Sequence, residues 1–192
     1  VLGYLNEEND YFESWYEPHK TLTQTLFEEL KARKPEQDES VPYDKNGYRY
    51  QWRFNAGDQY RVWLRQSTID TSNVWETLLN ENSLAEGCEY FRLGALAVSP
   101  DGTKLAYSTD TNGSERFILQ VIEIASGNAL TTPIENCAGS VVWNADSDGF
   151  AYRLVNENCR PDKALYRSLH GSDDAVLYEE EDDDFFVGLG LS

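Results

Sequence analysis

The residues of this 192-residue chain that could act as nucleophiles, acids or bases do not form a catalytic set. Ser114 and Ser172 each follow a glycine, but both lie in stretches rich in turn-forming residues, and turn formation accounts for them. The two histidines, His19 and His170, lie in a helical stripe and beside a glycine, respectively. The sequence contains no G-x-S-x-G, H-E-x-x-H, P-loop or G-x-G-x-x-G pattern. We therefore predict no catalytic residue and no cofactor-binding residue in this chain.

The side chains that could hold a metal ion are also poorly spaced for it. Cys88, Cys137 and Cys159 match neither a zinc pattern nor a disulfide framework. We expect them to be reduced thiols of a cytoplasmic protein. The acidic run Glu179–Asp184 lacks the spaced oxygen ligands and the glycine of a calcium loop. We predict no metal site and no cofactor.

The same acidic run, residues 179–184, admits two interpretations. Charge blocks of this kind usually form solvated connectors, and that interpretation is favoured here. The alternative is a negative field that attracts cationic substrates at one mouth of the fold. Three further aspartates, Asp101, Asp110 and Asp148, lie beside turns, and we predict that they shape those turns.

The charge of the whole chain limits its partners. Its formal net charge is −18, from 34 acidic and 16 basic residues. Nucleic-acid phosphates would be repelled, whereas peptides that contain Arg or Lys would be attracted. No apolar run approaches the ~20 residues of a membrane span, and no signal peptide is evident. We expect a cytoplasmic protein that binds neither nucleic acid nor membrane.

The elements that must position these residues are predicted to be short β-strands. The stretch Phe91–Ile124 alternates strand and turn, with turns at Ser99–Gly102 and Thr111–Ser114. Ala129–Ile134 is predicted to be a fourth strand. Four antiparallel strands in about 45 residues are typical of one propeller blade.

The blade pattern recurs along the chain. Leu105–Tyr107 aligns with Phe150–Tyr152, 45 residues later. We predict blades at about 40–87, 91–135 and 138–181, with Phe185–Gly190 opening a fourth at about 185–192. The fold is therefore predicted to be mainly β, a partial β-propeller of about three four-stranded blades. An array that breaks off inside a blade indicates a piece of a larger protein.

The first predicted blade contains an Asn46-Gly47 hairpin turn and Trp75–Leu79 as its outer strand. Its alternating aromatic residues favour strand packing over a carbohydrate platform. These residues are Tyr48, Tyr50, Trp52, Tyr60 and Trp63.

Residues 1–35 are predicted to be helical, with Asn6 or Asn9 as the cap and a kink or restart at Pro18. One apolar stripe runs along this segment, made of Phe12, Trp15, Tyr16, His19, Leu22, Leu26 and Leu30. A stripe with this much aromatic surface must pack against something. Because blades pack against each other, we expect the host to be a domain outside this sequence.

Seven stretches, in order, resemble the oligopeptidase B (protease II) group of the prolyl oligopeptidase family of serine peptidases. They are Tyr4–Asn9, Leu26–Lys31, Ser40–Pro42, Leu84–Gly87, Leu93–Glu115, Arg160–Lys163 and Leu177–Gly190. Together they cover nearly the whole chain. Trp52 and Trp63 depart from the tyrosines expected there, which concerns packing only.

The resemblance implies a larger enzyme in which a seven-bladed propeller caps an α/β-hydrolase domain. Such enzymes cut short peptides after Arg or Lys with a Ser–Asp–His triad. The N-terminal helices pack on the hydrolase domain, and the propeller restricts substrates by size. The catalytic residues would lie beyond Ser192, so this chain alone is expected to be inactive. Its expected partners are short basic peptides and its own C-terminal hydrolase domain.

Two alternatives stay open at this point. The chain could be a free-standing acidic interaction module that completes its sheet by self-assembly. It could also be the equivalent part of a prolyl oligopeptidase that cuts after Pro, since that enzyme shares the architecture.

Overall fold

A computed structural model describes residues 1–69, 74–171 and 173–190, and in these a helical segment precedes two antiparallel sheets. Ser172 and the last two residues of the predicted fourth blade, 191–192, lie outside the described residues.

The helical segment is divided at the predicted proline. Helix α1 spans Leu2–Tyr16, a 3-10 turn spans Glu17–His19, and helix α2 spans Lys20–Ala32. Pro18 lies inside the 3-10 turn, where the proline ring interrupts the α-helical hydrogen bonds. The predicted cap at Asn6 or Asn9 is wrong. Helix α1 starts earlier, where the Leu5 N–H donates to the Val1 carbonyl oxygen (3.1 Å), and the apolar side chain of the N-cap Val1 cannot accept a capping hydrogen bond.

The first sheet is a four-stranded unit whose edge strand is interrupted and so counts as two short strands. Its strands are β1 Asp38–Glu39, β2 Tyr43–Lys45, β3 Tyr48–Phe54, β4 Val62–Ser67 and β5 Glu76–Asn80. Both β1 and β2 pair with β3, and Pro42 lies between them. The predicted hairpin turn is confirmed, with φ of 49° at Asn46 and 79° at Gly47. The predicted outer strand is confirmed as β5, shifted by one residue, and a one-turn helix α3, Glu81–Leu84, follows it.

The second sheet contains seven strands in one antiparallel order. They are β6 Arg92–Val98, β7 Lys104–Asp110, β8 Phe117–Glu123, β9 Ile134–Trp143, β10 Gly149–Val155, β11 Pro161–Ser168 and β12 Asp174–Glu179. Strand β9 serves two units. Ile134 and Cys137 pair with β8, whereas residues 141–143, and again Cys137, pair with β10. Between them, Gly139 has a φ of +73°, so the strand turns as it passes from one four-stranded unit to the next.

Two strand predictions differ from the structure. The fourth strand predicted at Ala129–Ile134 is displaced, because only an isolated bridge joins Ala129 to Ile122 and the strand begins at Ile134. Pro133 lacks the N–H that a ladder strand needs. The strand predicted at Phe185–Gly190 is absent from the described residues 185–190.

Two apolar clusters form the core. One joins the first sheet to β7 and is formed by Tyr50, Leu78, Leu79, Leu105 and Tyr107, with Tyr48 and Trp63 packed against it. The other lies within the second sheet around Leu119, Cys137 and Phe150. The packing role predicted for the aromatic strand residues is therefore confirmed for Tyr48, Tyr50 and Trp63.

Candidate functional surfaces

The aspartates beside the turns are structural. The Asp110 side chain is buried, and its carboxylate accepts N–H bonds from Asn112 (3.0 Å), Gly113 (2.9 Å) and Glu115 (2.8 Å). Burial alone would raise the pKa of Asp110, but these donors outweigh it and lower the pKa. The Asp101 carboxylate binds the Thr103 N–H in the same way (2.9 Å). The prediction that these aspartates shape turns is confirmed for both.

The third turn uses a different side chain from the one predicted. The Asn144 carbonyl oxygen accepts the N–H groups of Asp148 and Gly149, both at 3.2 Å. Asp148 supports this arrangement by accepting a bond from the Asn144 amide (2.5 Å). Asn144 therefore shapes the turn, and Asp148 holds it.

The candidate nucleophile Ser114 and the two histidines lie in three different elements of the fold. Ser114 donates its N–H to the Asn112 side chain in a turn, while His170 lies in the turn after β11. His19 is exposed on the helical segment, with its ring 5.1 Å from that of Trp15. The described residues hold no cluster of three or more His, Cys, Asp or Glu that could bind a metal ion.

The cysteines are free thiols in three different environments. Cys137 is buried in the second sheet, where burial raises its pKa to about 12. Cys88 is half-buried and Cys159 is exposed. A thiol with so high a pKa stays protonated at neutral pH, so Cys137 acts as an apolar core residue.

The acidic run is anchored to the third unit by Arg160. Its guanidinium donates to the carbonyl oxygens of Asp182 (2.6 Å) and Phe185 and to the Asp183 carboxylate (2.8 Å). At the start of the run, Glu179 pairs with Lys163 (2.7 Å). The run is thus an ordered connector, and its side chains from position 181 to 184 are exposed.

Arg160 belongs to a repeated position that the sequence analysis missed. Arg61, Arg116 and Arg160 each lie immediately before the third strand of their unit, before β4, β8 and β11. Arg116 donates to the carbonyl oxygens of Asn156 (2.7 Å) and Glu157 (2.9 Å) in the next unit. Alignment of the three units by their third strands would have revealed this position.

Arg61 differs from its two counterparts. Within the described part of the chain its side chain forms no hydrogen bond and no ion pair, and its guanidinium lies 4.5 Å from the ring centroid of Trp52. It lines an inter-blade pocket of about 480 Å³ between the first two units. We define the inter-blade pocket by Tyr60, Arg61, Trp63, Glu81, Phe91 and Arg92.

A carboxyl group lies buried beside this pocket. The Trp63 indole N–H donates to the Glu81 carboxyl group (2.6 Å), and Glu81 is 7% exposed. Burial raises the pKa of Glu81, against the opposing effects of the Trp63 hydrogen bond and the Arg61 charge. The rings of Tyr60 and Phe91 meet edge to face at 5.1 Å.

The helical segment presents a second candidate surface. No residue of α1 or α2 is buried, and Phe12, Trp15 and Leu22 are each more than half exposed. Monomeric proteins seldom leave so much apolar surface in water, so this surface is expected to be an interface. No helix among the described residues is long and apolar enough to cross a membrane.

The family model for the N-terminal β-propeller domain of prolyl oligopeptidase matches residues 1–192. The chain belongs to this family. Dipeptidyl aminopeptidase BI of Pseudoxanthomonas mexicana is 32% identical over 209 residues, covering 100% of this chain and 29% of that protein. Protease 2 of Moraxella lacunata is 28% identical over 201 residues, covering 100% of this chain and 29% of that protein.

Two solved structures of oligopeptidase B share the fold of this prolyl oligopeptidase propeller. The Trypanosoma brucei protein, with covalently bound antipain, is 29% identical, with a TM-score of 0.82 over 100% of this chain and 27% of that chain. The Leishmania major protein is 25% identical, with a TM-score of 0.81 over 95% of this chain and 26% of that chain. The chain thus spans less than a third of the length of these proteins. The predicted family, the mainly β fold and the partial propeller are confirmed.

Proposed function

We propose that this chain is the propeller portion of a serine oligopeptidase that hydrolyses short peptides after Arg or Lys. The observation that carries the proposal is the match to oligopeptidase B structures over nearly the whole chain, with TM-scores of 0.82 and 0.81. The relatives are named as peptidases, and this chain matches only their propeller portion. The catalytic residues would then lie outside this chain, which would be inactive alone.

The charge of the chain supports a basic substrate. A net charge of −18 gives a field that attracts cationic peptides, and long-range attraction of this kind raises the rate of encounter. The exposed acidic side chains at 181–184 add to that field at one end of the third unit. The propeller would restrict access to the catalytic site by size, so only short peptides would be cut.

The helical segment supports a two-domain parent. Its apolar residues find no host in either sheet, and a C-terminal α/β-hydrolase domain would supply one. In this proposal the helices join the two domains of one enzyme.

The test is an amidolytic assay of the full-length protein and of this chain alone. The full-length protein is expected to cleave a chromogenic peptide after Arg or Lys and to ignore the matched peptide with Pro at that position. Preferential cleavage after Pro would assign the protein to prolyl oligopeptidase instead. Robust turnover by residues 1–192 alone would disprove the location of the catalytic residues.

A second candidate function is a free-standing acidic module that self-assembles. It is favoured by the exposed apolar residues of the outer strand β12, where Val176, Leu177 and Tyr178 are all more than half exposed. Sizing of the chain at several concentrations tests this candidate. A discrete, folded oligomer would support it, whereas heterogeneous aggregation indicates sheet edges that normally pack against further blades.

A further inference from the structure

The inter-blade pocket is lined by Arg61, whose guanidinium forms no hydrogen bond and no ion pair among the described residues. At the same position of the next two units, Arg116 and Arg160 bind backbone carbonyl oxygens of the following segment, and Arg160 also binds a carboxylate. The fold therefore uses this position to hold oxygen acceptors of an adjacent chain segment. In the first unit no described residue supplies those acceptors.

Arg61 receives no such acceptors from the connection that follows β5. The chain forms α3 at this connection, and the Glu81 carboxyl group accepts a hydrogen bond from the indole N–H of Trp63. Glu81 is the buried carboxyl group at this pocket, yet it forms no ion pair with Arg61 within the described part of the chain. Arg61, which is exposed, and Glu81 both line the inter-blade pocket of about 480 Å³.

Aromatic rings hold the Arg61 side chain in place before any ligand arrives. Its guanidinium lies 4.5 Å from the ring centroid of Trp52, 5.9 Å from that of Trp63 and 6.0 Å from that of Phe54. Cation–π contacts of this kind orient a guanidinium and leave its N–H edge available. A preoriented donor loses less conformational entropy when it binds a ligand.

The geometry points to a carboxylate ligand. A guanidinium presents a planar fork of N–H donors that matches the two oxygens of a carboxylate. The rings of Tyr60 and Phe91, which contact each other edge to face, line the same pocket and give it an apolar surface. A C-terminal residue of a peptide carries a carboxylate and a side chain within a few atoms of each other, so it can use both features at once.

We propose that the inter-blade pocket binds the C-terminal carboxylate of a peptide through Arg61. The choice of a peptide rests on the proposed peptidase function, whereas the carboxylate rests on the pocket alone. Arg61 would be a binding residue remote from catalysis, and it would favour peptides with a free C-terminus.

The experiment uses the full-length protein after a serine-directed organophosphate has blocked hydrolysis. Calorimetric titration measures the dissociation constants of two forms of one short Arg-containing peptide. One form has a free C-terminal carboxylate, and the other is the C-terminal amide. The free acid is expected to bind about tenfold more tightly, as a charge-assisted hydrogen-bond pair would give. Arg61→Gln is expected to abolish the preference, and Arg61→Lys, which keeps the charge but loses the fork, to retain only part of it.

Arg53→Gln is the matched control, because it removes the same charge from an exposed position on β3 outside the pocket. It is expected to keep the preference, and equal thermal midpoints establish that the variants are folded. Equal binding of acid and amide by the unsubstituted protein would overturn the proposal, as would a preference that survives Arg61→Gln.

A third peptide separates the two sources of a carboxylate. It is the amidated peptide with an internal Glu, compared with the same peptide with Gln. An Arg61-dependent preference for Glu that exceeds the preference for the free C-terminus would overturn the assignment to the terminus. Hydrolysis is measured separately on the untreated protein, so failure of the peptidase function appears as absent cleavage, whatever Arg61 binds.

Discussion

At the scale of single residues, the polar side chains that resemble catalytic groups are mostly used to build turns. Asp110 and Asn156 occupy equivalent positions, each at the start of the loop before a third strand, and each accepts N–H groups from that loop. The loops end on residues with positive φ, Glu115 at 59° and Cys159 at 58°. The arginine that follows each loop, Arg116 or Arg160, donates hydrogen bonds to carbonyl oxygens further along the chain.

Asp110→Ala is expected to lower the free energy of unfolding by about 1–3 kcal/mol, because three N–H groups of the loop lose the carboxylate that accepts their hydrogen bonds. Urea unfolding followed by circular dichroism measures the change. Asp146→Ala is the control, since Asp146 is exposed and makes no side-chain hydrogen bond among the described residues. An equal effect of both substitutions would contradict the role of Asp110.

Glu81→Gln is expected to raise the thermal midpoint at pH 7. Burial raises the pKa of Glu81, so the folded state favours the protonated carboxyl. The stability from this group is complete below the unfolded pKa of about 4.3 and is lost as the pH rises through the folded pKa. A neutral amide can still accept the Trp63 N–H, so the gain of the variant should be largest at neutral pH and absent near pH 4.

Thermal scans between pH 4 and pH 8 measure this difference. Glu157→Gln is the control, because that side chain is exposed and lies in another unit. A midpoint for Glu81→Gln that falls at pH 7 would show that the ionised carboxylate stabilises the fold.

At the scale of elements, strand β9 shows how two blades are joined without an interruption in the ladder. Its first residues complete the second unit and its last residues begin the third. The Trp143 indole N–H also donates to the Ala97 carbonyl oxygen (2.9 Å), which ties the inner strands of the two units together. The bend at Gly139 is what allows one strand to serve both units.

Gly139→Ala is expected to lower the free energy of unfolding by more than the about 1–2 kcal/mol that a positive φ costs a residue with a Cβ. A Cβ at Gly139 would lie 3.0 Å from the Phe117 ring. Gly127→Ala is the matched control, because Gly127 has a φ of +71° and no atom within 4 Å of such a Cβ. Equal losses in urea unfolding would indicate that only the backbone angle matters.

The helices give a second prediction at this scale. Leu22→Ser together with Leu26→Ser is expected to lower the thermal midpoint of the full-length protein, because both side chains would be buried against the hydrolase domain. Gln24→Ser, on the opposite face of α2, should leave the midpoint nearly unchanged. If the leucine pair has as little effect as Gln24→Ser, the helices do not dock through this face.

At the scale of the whole molecule, the negative charge is distributed over the chain, while particular cations are used to hold the units together. Arg65 donates to the Gly102 carbonyl oxygen (2.5 Å) between the first and second units, and Arg116 bridges the second and third. The basic residues therefore act locally, and the acidic excess sets the long-range field.

The apparent KM of the full-length enzyme for a dibasic peptide is expected to rise several-fold when salt increases from about 0.05 M to about 0.5 M, because salt screens long-range attraction. A peptide with a single basic residue should change less, and it serves as the control. Steady-state assays at matched pH measure both. Identical salt dependence for the two peptides would show that the field does not steer substrate.

The sequence by itself determined the features that depend on neighbouring residues. Asn46-Gly47 specifies a hairpin turn, Pro18 divides the helical segment, and the recurrence of strands every 45 residues indicates blades. Local propensity places these features because each depends on φ angles and side-chain alternation within a few residues. Some local predictions failed: the fourth strand of the second unit is displaced, since Pro133 delays the ladder to Ile134, and the strand predicted at Phe185–Gly190 is absent from the described residues 185–190.

Only the tertiary structure decided what depends on contacts between distant residues. Whether an arginine before a third strand finds a partner is set by the segment that packs against it. Arg116 meets the loop at Asn156, 40 residues later, whereas Arg61 meets an open pocket. The sequence shows only that both positions are arginine. Which residues each side chain contacts is set by tertiary packing, so it cannot be read from the residue type.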